Sequence, residues 1–234
     1  MWAAGEAAVA EAGRCLGQGG LVAFPTETVY GLGADATNPA AIARLYQAKG
    51  RPAFNPLIAH VGDLQAARKI AHFGTTATTL AGAFWPGPLT LVLPRSADCA
   101  VAELAAAGLD TIAVRVPAHP VALAILRAFG GPVVAPSANL SGHVSPTTAA
   151  HVQGDLAGRI DLIVDGGPVA VGVESTIVGC FEPPMLLRPG GLPRENIERV
   201  LGRALVAAPG DPDAGSGQPL APGMLASHYA PRTR

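Results

Sequence analysis

The sequence predicts an α/β fold built on a mixed sheet, and three observations carry that expectation. Short apolar runs of strand type are interleaved with segments of helical period. Several of these runs follow one another with no helix between, whereas parallel strands need a long crossover connection. Apolar residues make up 49% of the 234 and charged residues 14%, against roughly 25% charged in an average soluble domain. A chain of that balance has ample material for a buried core and is not intrinsically disordered.

The elements are read in chain order. Residues 3–16 form a helix, closed by Gly17, Gly19 and Gly20, and residues 21–24 a short strand that Pro25 stops. Asn38-Pro39 is an N-cap followed by a first-turn proline, opening a helix to Ala48 that Gly50 closes. Residues 57–61 form a buried strand, 63–72 and 75–84 two helices, and the WPGP at 85–88 a turn. Strands follow at 89–93 and 111–116, then a helix at 119–129 and a short strand at 132–135. Ser145-Pro146 repeats the cap-plus-proline signal and opens a helix towards Gly154. Short strands at 160–164, 175–178 and 185–187 and a helix at 193–201 complete the domain, 1–204. Residues 205–222 are rich in Pro, Gly, Ser and Asp and read as a linker. The tail that ends the chain, in the unit 205–234, has too few apolar residues for a second core.

Several classes of function are excluded early. The formal charge of −1 argues against binding nucleic acid through bulk charge. The three cysteines, Cys15, Cys99 and Cys180, stand far apart and include no CxxC pair, which fits buried thiols in a reducing compartment. The N-terminus carries Glu6 and Glu11 and no early basic residue, a poor signal peptide. No apolar run approaches the ~20 residues of a membrane span, so a cytoplasmic protein with no membrane contact is expected. No phosphate loop, HExxH or GxSxG is present. GLGADA at 31–36 fits a loose GxGxxA, yet the positions about twenty later hold Gly50, Arg51 and Pro52 and no acidic residue. Glycines that turn the chain sharply beside a packed strand explain the match equally well.

Four polar segments are more specific than ordinary loops: PTETVYGLGA at 25–34, KGRPAFNPLIAH at 49–60, APSANLSGHVSPT at 135–147 and GVESTIVG at 172–179. Taken singly, their Ser, Asn, Gly and Pro residues are turn chemistry, Thr28 and Ser175 satisfy strand edges, and Lys49 is a solvated helix-end cation. As surface-type substitutions, Lys49→Ala and Arg51→Ala are expected to abolish activity while leaving the fold intact. Together they suggest more. Lys49 is one of only two lysines, with Lys69, among 16 basic residues, and Lys49 and Arg51 suit a polyphosphate, one as point charge and one as fork. Nothing supplies a strong nucleophile, and nucleotidyl transfer needs none, because positioning and charge stabilisation carry it.

These residues resemble the YrdC-like L-threonylcarbamoyl-adenylate synthases, which act in tRNA threonylcarbamoyladenosine formation. The motifs, in order from about Gly20 to Gly191, are FPTETVYGLGA, KGRP with NPL, WPGPLTLVL, VRVPAHP, PSANLSG with SPT, GVESTIVG and LRPGG. The resemblance implies a twisted mixed sheet flanked by helices, with a wide concave active site. It implies that L-threonine and bicarbonate form a carbamate that attacks the α-phosphorus of ATP, releasing pyrophosphate. Lys49, Arg51, Ser137 and Asn139 match the family's Lys-x-Arg plus Ser-x-Asn signature and are the expected catalytic residues. Arg51, Asn55, Thr111, Ser137, Ser145, Arg188 and Tyr229 match positions that hold ATP. Thr28, His60, Arg115, Ala135 and Ser175 match positions that hold threonine. Mg2+ is implied with ATP, riding on the nucleotide for want of a carboxylate cluster. The implied downstream partner is the tRNA threonylcarbamoyl-transferase machinery.

PGMLASHYAP near the end resembles the linker of the family's long form, whose second domain is missing here, and the tail is expected to close over the site. An RNA-binding module, with weak RNA contact through a basic concave face, is one competing reading. The carbamoyl-transfer domain of hydrogenase-maturation proteins is another, although those are longer and carry CxxC modules that this chain lacks.

Overall fold

A computed structural model describes residues 1–207 of the chain. Its centre is an 11-stranded sheet. The strands are β1 (Trp2–Ala3), β2 (Val22–Pro25), β3 (Tyr30–Asp35), β4 (Ile58–His60), β5 (Leu89–Pro94), β6 (Thr111–Arg115), β7 (Val133–Val134), β8 (Leu162–Asp165), β9 (Thr176–Gly179), β10 (Met185–Arg188) and β11 (Val206–Ala207). The helices are α1 (Glu6–Gly17), α2 (Pro39–Lys49), α3 (Leu64–Ile70), α4 (Thr75–Phe84), α5 (Glu103–Ala106), α6 (Pro120–Phe129), α7 (Ala149–Leu156) and α8 (Arg194–Leu201). The spatial order is β1-β8-β2-β3-β7-β4-β6-β5-β9-β10-β11. Pairs β4–β6 and β5–β9 are parallel, while β2–β3, β4–β7 and β5–β6 are antiparallel, so the sheet is mixed as expected.

Local chemistry accounts for several helix ends. Asn38 accepts hydrogen bonds from the Ala40 and Ala41 amides at the start of α2, and Gly50 ends it at φ 61°, a left-handed conformation that favours glycine. Asp63 caps α3 through the Ala66 amide, and His119 caps α6 through that of Val121.

Five expectations need correction. The segment 30–35, read as a glycine-rich loop, is the inner strand β3, paired to β2 and β7. Its glycines make room for packing: a Cβ on Gly33 would lie 2.7 Å from the Phe24 ring. The helix expected from Ser145-Pro146 begins at Ala149, because Thr148 caps it through the His151 amide and the Ser145 hydroxyl is engaged with Glu174. Residues 2–3 pair with β8 instead of opening α1. The short helix α5 was not anticipated. Buried Leu205 and strand β11, parallel to β10, carry the sheet into the segment read as linker. The expected lid and Tyr229 lie outside the described residues.

Strand alternation sorts the core. Leu57, Ala59, Val61, Leu89, Leu91, Leu93, Ile112 and Val114 pack in the main cluster with side chains of α2, α3, α4 and α7. On the opposite face, α1 and α6 cover β2, β7 and β8 through Val22, Phe24, Val133, Leu162 and Val164. Further along that face Ile58, Val92, Ala113, Ile177 and Leu187 form a small cluster to which no helix among the described residues contributes. On this strip of sheet the polar residues of the strands converge.

Candidate active site

The strip carries His60 two residues beyond Ile58 on β4 and Arg115 two beyond Ala113 on β6, so the period of 2 puts all four on one face. Parallel pairing of β4 and β6 sets His60 directly beside Arg115. Loops bring the rest. Thr28, Arg51, His60, Arg115, Ala135, Ser137, Ser175 and Arg188 line one cleft, together with Val29, Ile58, Pro136 and Glu174. Eight of the fourteen residues singled out in the sequence are thus brought together, though they span 160 positions of the chain (Thr28 to Arg188).

At one end of the cleft Arg115, 4% exposed, pairs with Glu27 at 2.6 Å, and its Nε donates to the Gly87 carbonyl at 3.3 Å. Buried His60 uses Nδ1 towards the Ile58 carbonyl at 3.2 Å. A carbonyl can only accept, so Nδ1 carries the proton and Nε2 is a bare acceptor. Burial, and then the charge of Arg115, push the pKa of His60 down to about 3. The Thr26 hydroxyl donates to the Val29 carbonyl at 2.7 Å, so the Thr28 hydroxyl donates to Thr26 at 2.8 Å and turns its lone pairs outward. Ser175 meets Thr90 at 2.8 Å and accepts from Arg188 at 3.2 Å.

This makes His60 a measurable contributor to acid sensitivity. Between pH 6.5 and 3 the unfolded chain protonates it and the folded protein does not, so its contribution to stability falls as pH falls through that window. Urea denaturation of the wild type and His60→Gln at pH 7 and pH 5 is expected to show the wild type losing more. Equal losses would mean that His60 is protonated in the folded protein.

At the other end Arg51 donates to the Pro56 carbonyl at 3.0 Å. Burial pulls its pKa down to about 10, with Arg188 contributing and Tyr46 opposing. Two guanidiniums close enough to sense one another favour an anion between them. Ser137 donates to Asn139 Oδ1 at 2.6 Å.

The remaining residues occupy other places. Lys49 is not solvated: it is 2% exposed, and its Nζ donates to the Ser137 and Asn139 carbonyls at 2.5 Å each and to Asn139 Oδ1 at 3.3 Å. It therefore pins the 137–139 loop from beneath. Burial and the charge of Arg51 pull its pKa down to about 7, against Asp155, which raises it. Asn139, buried, also donates to the His143 carbonyl at 2.6 Å. Asn55 is buried beside Arg51, and its Oδ1 has no hydrogen-bond partner among the described residues. Thr111 begins β6, on the face of Arg115 but four residues away, roughly 13 Å along a strand. Ser145 reaches the cleft only through its hydrogen bond to Glu174.

Sequence reasoning passed over Glu27 and Glu174. The signal was available: in a chain with 14% charged residues, each is a lone carboxylate inside a segment already marked as unusual. A second, largely apolar cavity of about 620 Å³ lies between α3 and the end of α6, lined by Asp63, Arg68, Lys69 and Arg127, and contains none of the residues singled out in the sequence.

Fold and cleft together define an α/β protein with a polar small-molecule site, one end suited to a carboxylate and the other to phosphate. A model of the Sua5/YciO/YrdC family, described as telomere recombination, matches residues 14–190, and the chain belongs to that family. It is 51% identical to the threonylcarbamoyl-AMP synthase of Bacillus subtilis over 225 residues, 95% of this chain and 64% of that protein. It is 50% identical to the threonylcarbamoyl-AMP synthase of Pyrococcus abyssi over 92% of this chain and 63% of that one. The crystal structure of P. abyssi Sua5 complexed with L-threonine superposes with a TM-score of 0.90 at 48% identity, covering 95% of this chain and 65% of that one. The chain thus spans less than two thirds of the length of each of these relatives.

Proposed function

We propose that the protein forms threonylcarbamoyl-AMP and pyrophosphate from L-threonine, bicarbonate and ATP. The observation that carries this reading is the single cleft that gathers Arg115, His60 and Thr28 with Arg51, Arg188 and Ser137, Ser175 lying between them in hydrogen bond to Arg188. The names of the similar synthases and the L-threonine in the P. abyssi structure support it.

In this mechanism the threonine carboxylate pairs with Arg115, and its ammonium donates to the outward lone pairs of Thr28. His60 Nε2 accepts from the threonine hydroxyl. The threonine nitrogen, once deprotonated, joins bicarbonate to give a carbamate and water. A carbamate oxygen then attacks the α-phosphorus, and the α–β bridging oxygen leaves with pyrophosphate. Arg51 and Arg188 face the charge that builds on the phosphate oxygens. Lys49 acts from below, holding Ser137 and Asn139 in place.

Magnesium belongs to the proposal as a companion of the triphosphate. Among the described residues no three His, Cys, Asp or Glu side chains cluster to hold a metal, and no step is assigned to the ion. Supply of the adenylate to a tRNA-modifying transferase and a cytoplasmic site of action are part of the same proposal. Among the described residues no helix is long and apolar enough to cross a membrane.

Mass-spectrometric detection of threonylcarbamoyl-AMP from threonine, bicarbonate and ATP tests the reading directly. ATP consumption without that product, or RNA binding with steep salt dependence and no turnover, would replace it. Serine is expected to be a poor but measurable substrate, since a missing methyl is worth ~1–3 kcal/mol in an apolar subsite. Comparable kcat/KM for leucine would remove the threonine assignment.

A further inference from the structure

Glu27 stands behind the cleft without lining it, and the proposed chemistry gives it no task. Its Oε1 accepts from Arg115 Nη2 at 2.6 Å, and its Oε2 accepts from the Ala118 amide at 3.0 Å. Its backbone carbonyl accepts from the Val171 amide at 3.0 Å, and the Thr28 carbonyl accepts from Gly172 at 2.9 Å. The Glu27 carboxylate is therefore fastened at both oxygens and at the main chain. Its side chain is 14% exposed and lies in the connection between β2 and β3, so these bonds hold it in one place.

The consequence falls on Arg115. A guanidinium has five N–H donors in a planar fork. In Arg115, Nε is used by the Gly87 carbonyl and one Nη2 hydrogen by Glu27. Among the described residues three hydrogens are left, two on Nη1 and one on Nη2, so both nitrogens of the Nη1–Nη2 edge keep a donor for a carboxylate. We infer that Glu27 is a positioning residue that locks the rotation of Arg115, so that this edge of the guanidinium meets the carboxylate of the amino-acid substrate. The inference rests on the reading of this end of the cleft as the amino-acid site.

The alternative consequence of a carboxylate at that place is electrostatic. If charge alone mattered, Glu27 would compete with the substrate carboxylate, and removing it would tighten binding. Locking predicts the opposite sign, because an Arg115 without its brace turns towards other acceptors and loses the two-bond geometry.

The test compares L-threonine with L-threoninamide, which lacks the carboxylate, by calorimetric titration of wild type, Glu27→Ala and Glu27→Gln. Wild type is expected to prefer threonine. In Glu27→Ala the threonine affinity is expected to fall at least tenfold while that for threoninamide is unchanged. Glu27→Gln, which keeps an acceptor and the shape, is expected to recover part of the loss. In turnover, the KM for threonine rises, whereas kcat and the KM for ATP stay within threefold. Equal weakening of both ligands would make Glu27 a merely structural residue, and tighter threonine binding would make it a competitor; either overturns the inference. A wild type that does not prefer threonine to its amide would instead bring down the amino-acid reading itself, and the role of Glu27 with it.

Discussion

Replacing Lys49 with methionine is expected to lower the stability of the folded protein by about 2–4 kcal/mol and to abolish adenylate formation. Methionine keeps most of the volume and removes the donor. Two backbone carbonyls, of Ser137 and Asn139, and the Asn139 side-chain oxygen then lose an ammonium that reaches all three. Among the described residues only the Asn139 side-chain oxygen keeps another donor, Ser137. An unpaired buried acceptor is destabilising by about 1–3 kcal/mol, and local relaxation recovers part of the sum. Activity falls with stability because the loop that carries Ser137 into the cleft is the loop that Lys49 holds. Exposed Lys69 on α3 provides the control, and Lys69→Met is expected to stay within about 0.5 kcal/mol of wild type. Chemical denaturation of both variants decides the matter. A Lys49→Met midpoint equal to that of the control would show that the lysine pins nothing.

The second large effect belongs to Arg115. Arg115→Ala is expected to weaken threonine binding by about 10²- to 10³-fold, the range for truncating one member of a buried, hydrogen-bonded charge pair. It also leaves Glu27 without its cation, so a fall in thermal midpoint is expected alongside. Affinity for ATP is expected to stay within threefold, since Arg51 and Arg188 lie at the other end of the cleft. Titrations of threonine and of ATP separate the two ends. Parallel loss of both would mean that Arg115 supports the whole cleft and does not bind one substrate.

Much of the fold was legible in local chemistry. The Asn38-Pro39 start and Gly50 stop of α2 are determined by groups within a few residues of each other. Consecutive apolar runs with no helix read between them implied a mixed sheet, and β9–β10 is an antiparallel pair of that kind, while β5–β6 is antiparallel although α5 intervenes. The elements misread are those whose outcome is set from a distance. Tyr30–Asp35 has a loop's composition and becomes an inner strand because Phe24, Val133 and Ala135 pack where its glycines leave space. Ser145-Pro146 has a cap's composition, yet its hydroxyl is claimed by Glu174, 29 residues later.

The site divides in the same way. The sequence by itself determined which residue types this protein brings to its chemistry: Arg51, His60 and the hydroxyls of the polar segments, and Arg115 and Arg188 of the VRVPAHP and LRPGG motifs, with a family resemblance to order them. A period of 2 also places His60 with Ile58 and Arg115 with Ala113 within their strands, and the β4–β6 register brings the two pairs to one face. Only the tertiary structure decided what those groups can do. Lys49 is a pin and not a surface cation, because the 137–139 loop folds over the end of α2 and surrounds its ammonium with oxygen. His60 is neutral because it is buried beside Arg115, and Glu27 braces Arg115 across 88 residues of chain. Protonation, burial and hydrogen-bond partnership depend on neighbours in space, and a residue's place in the chain does not name them.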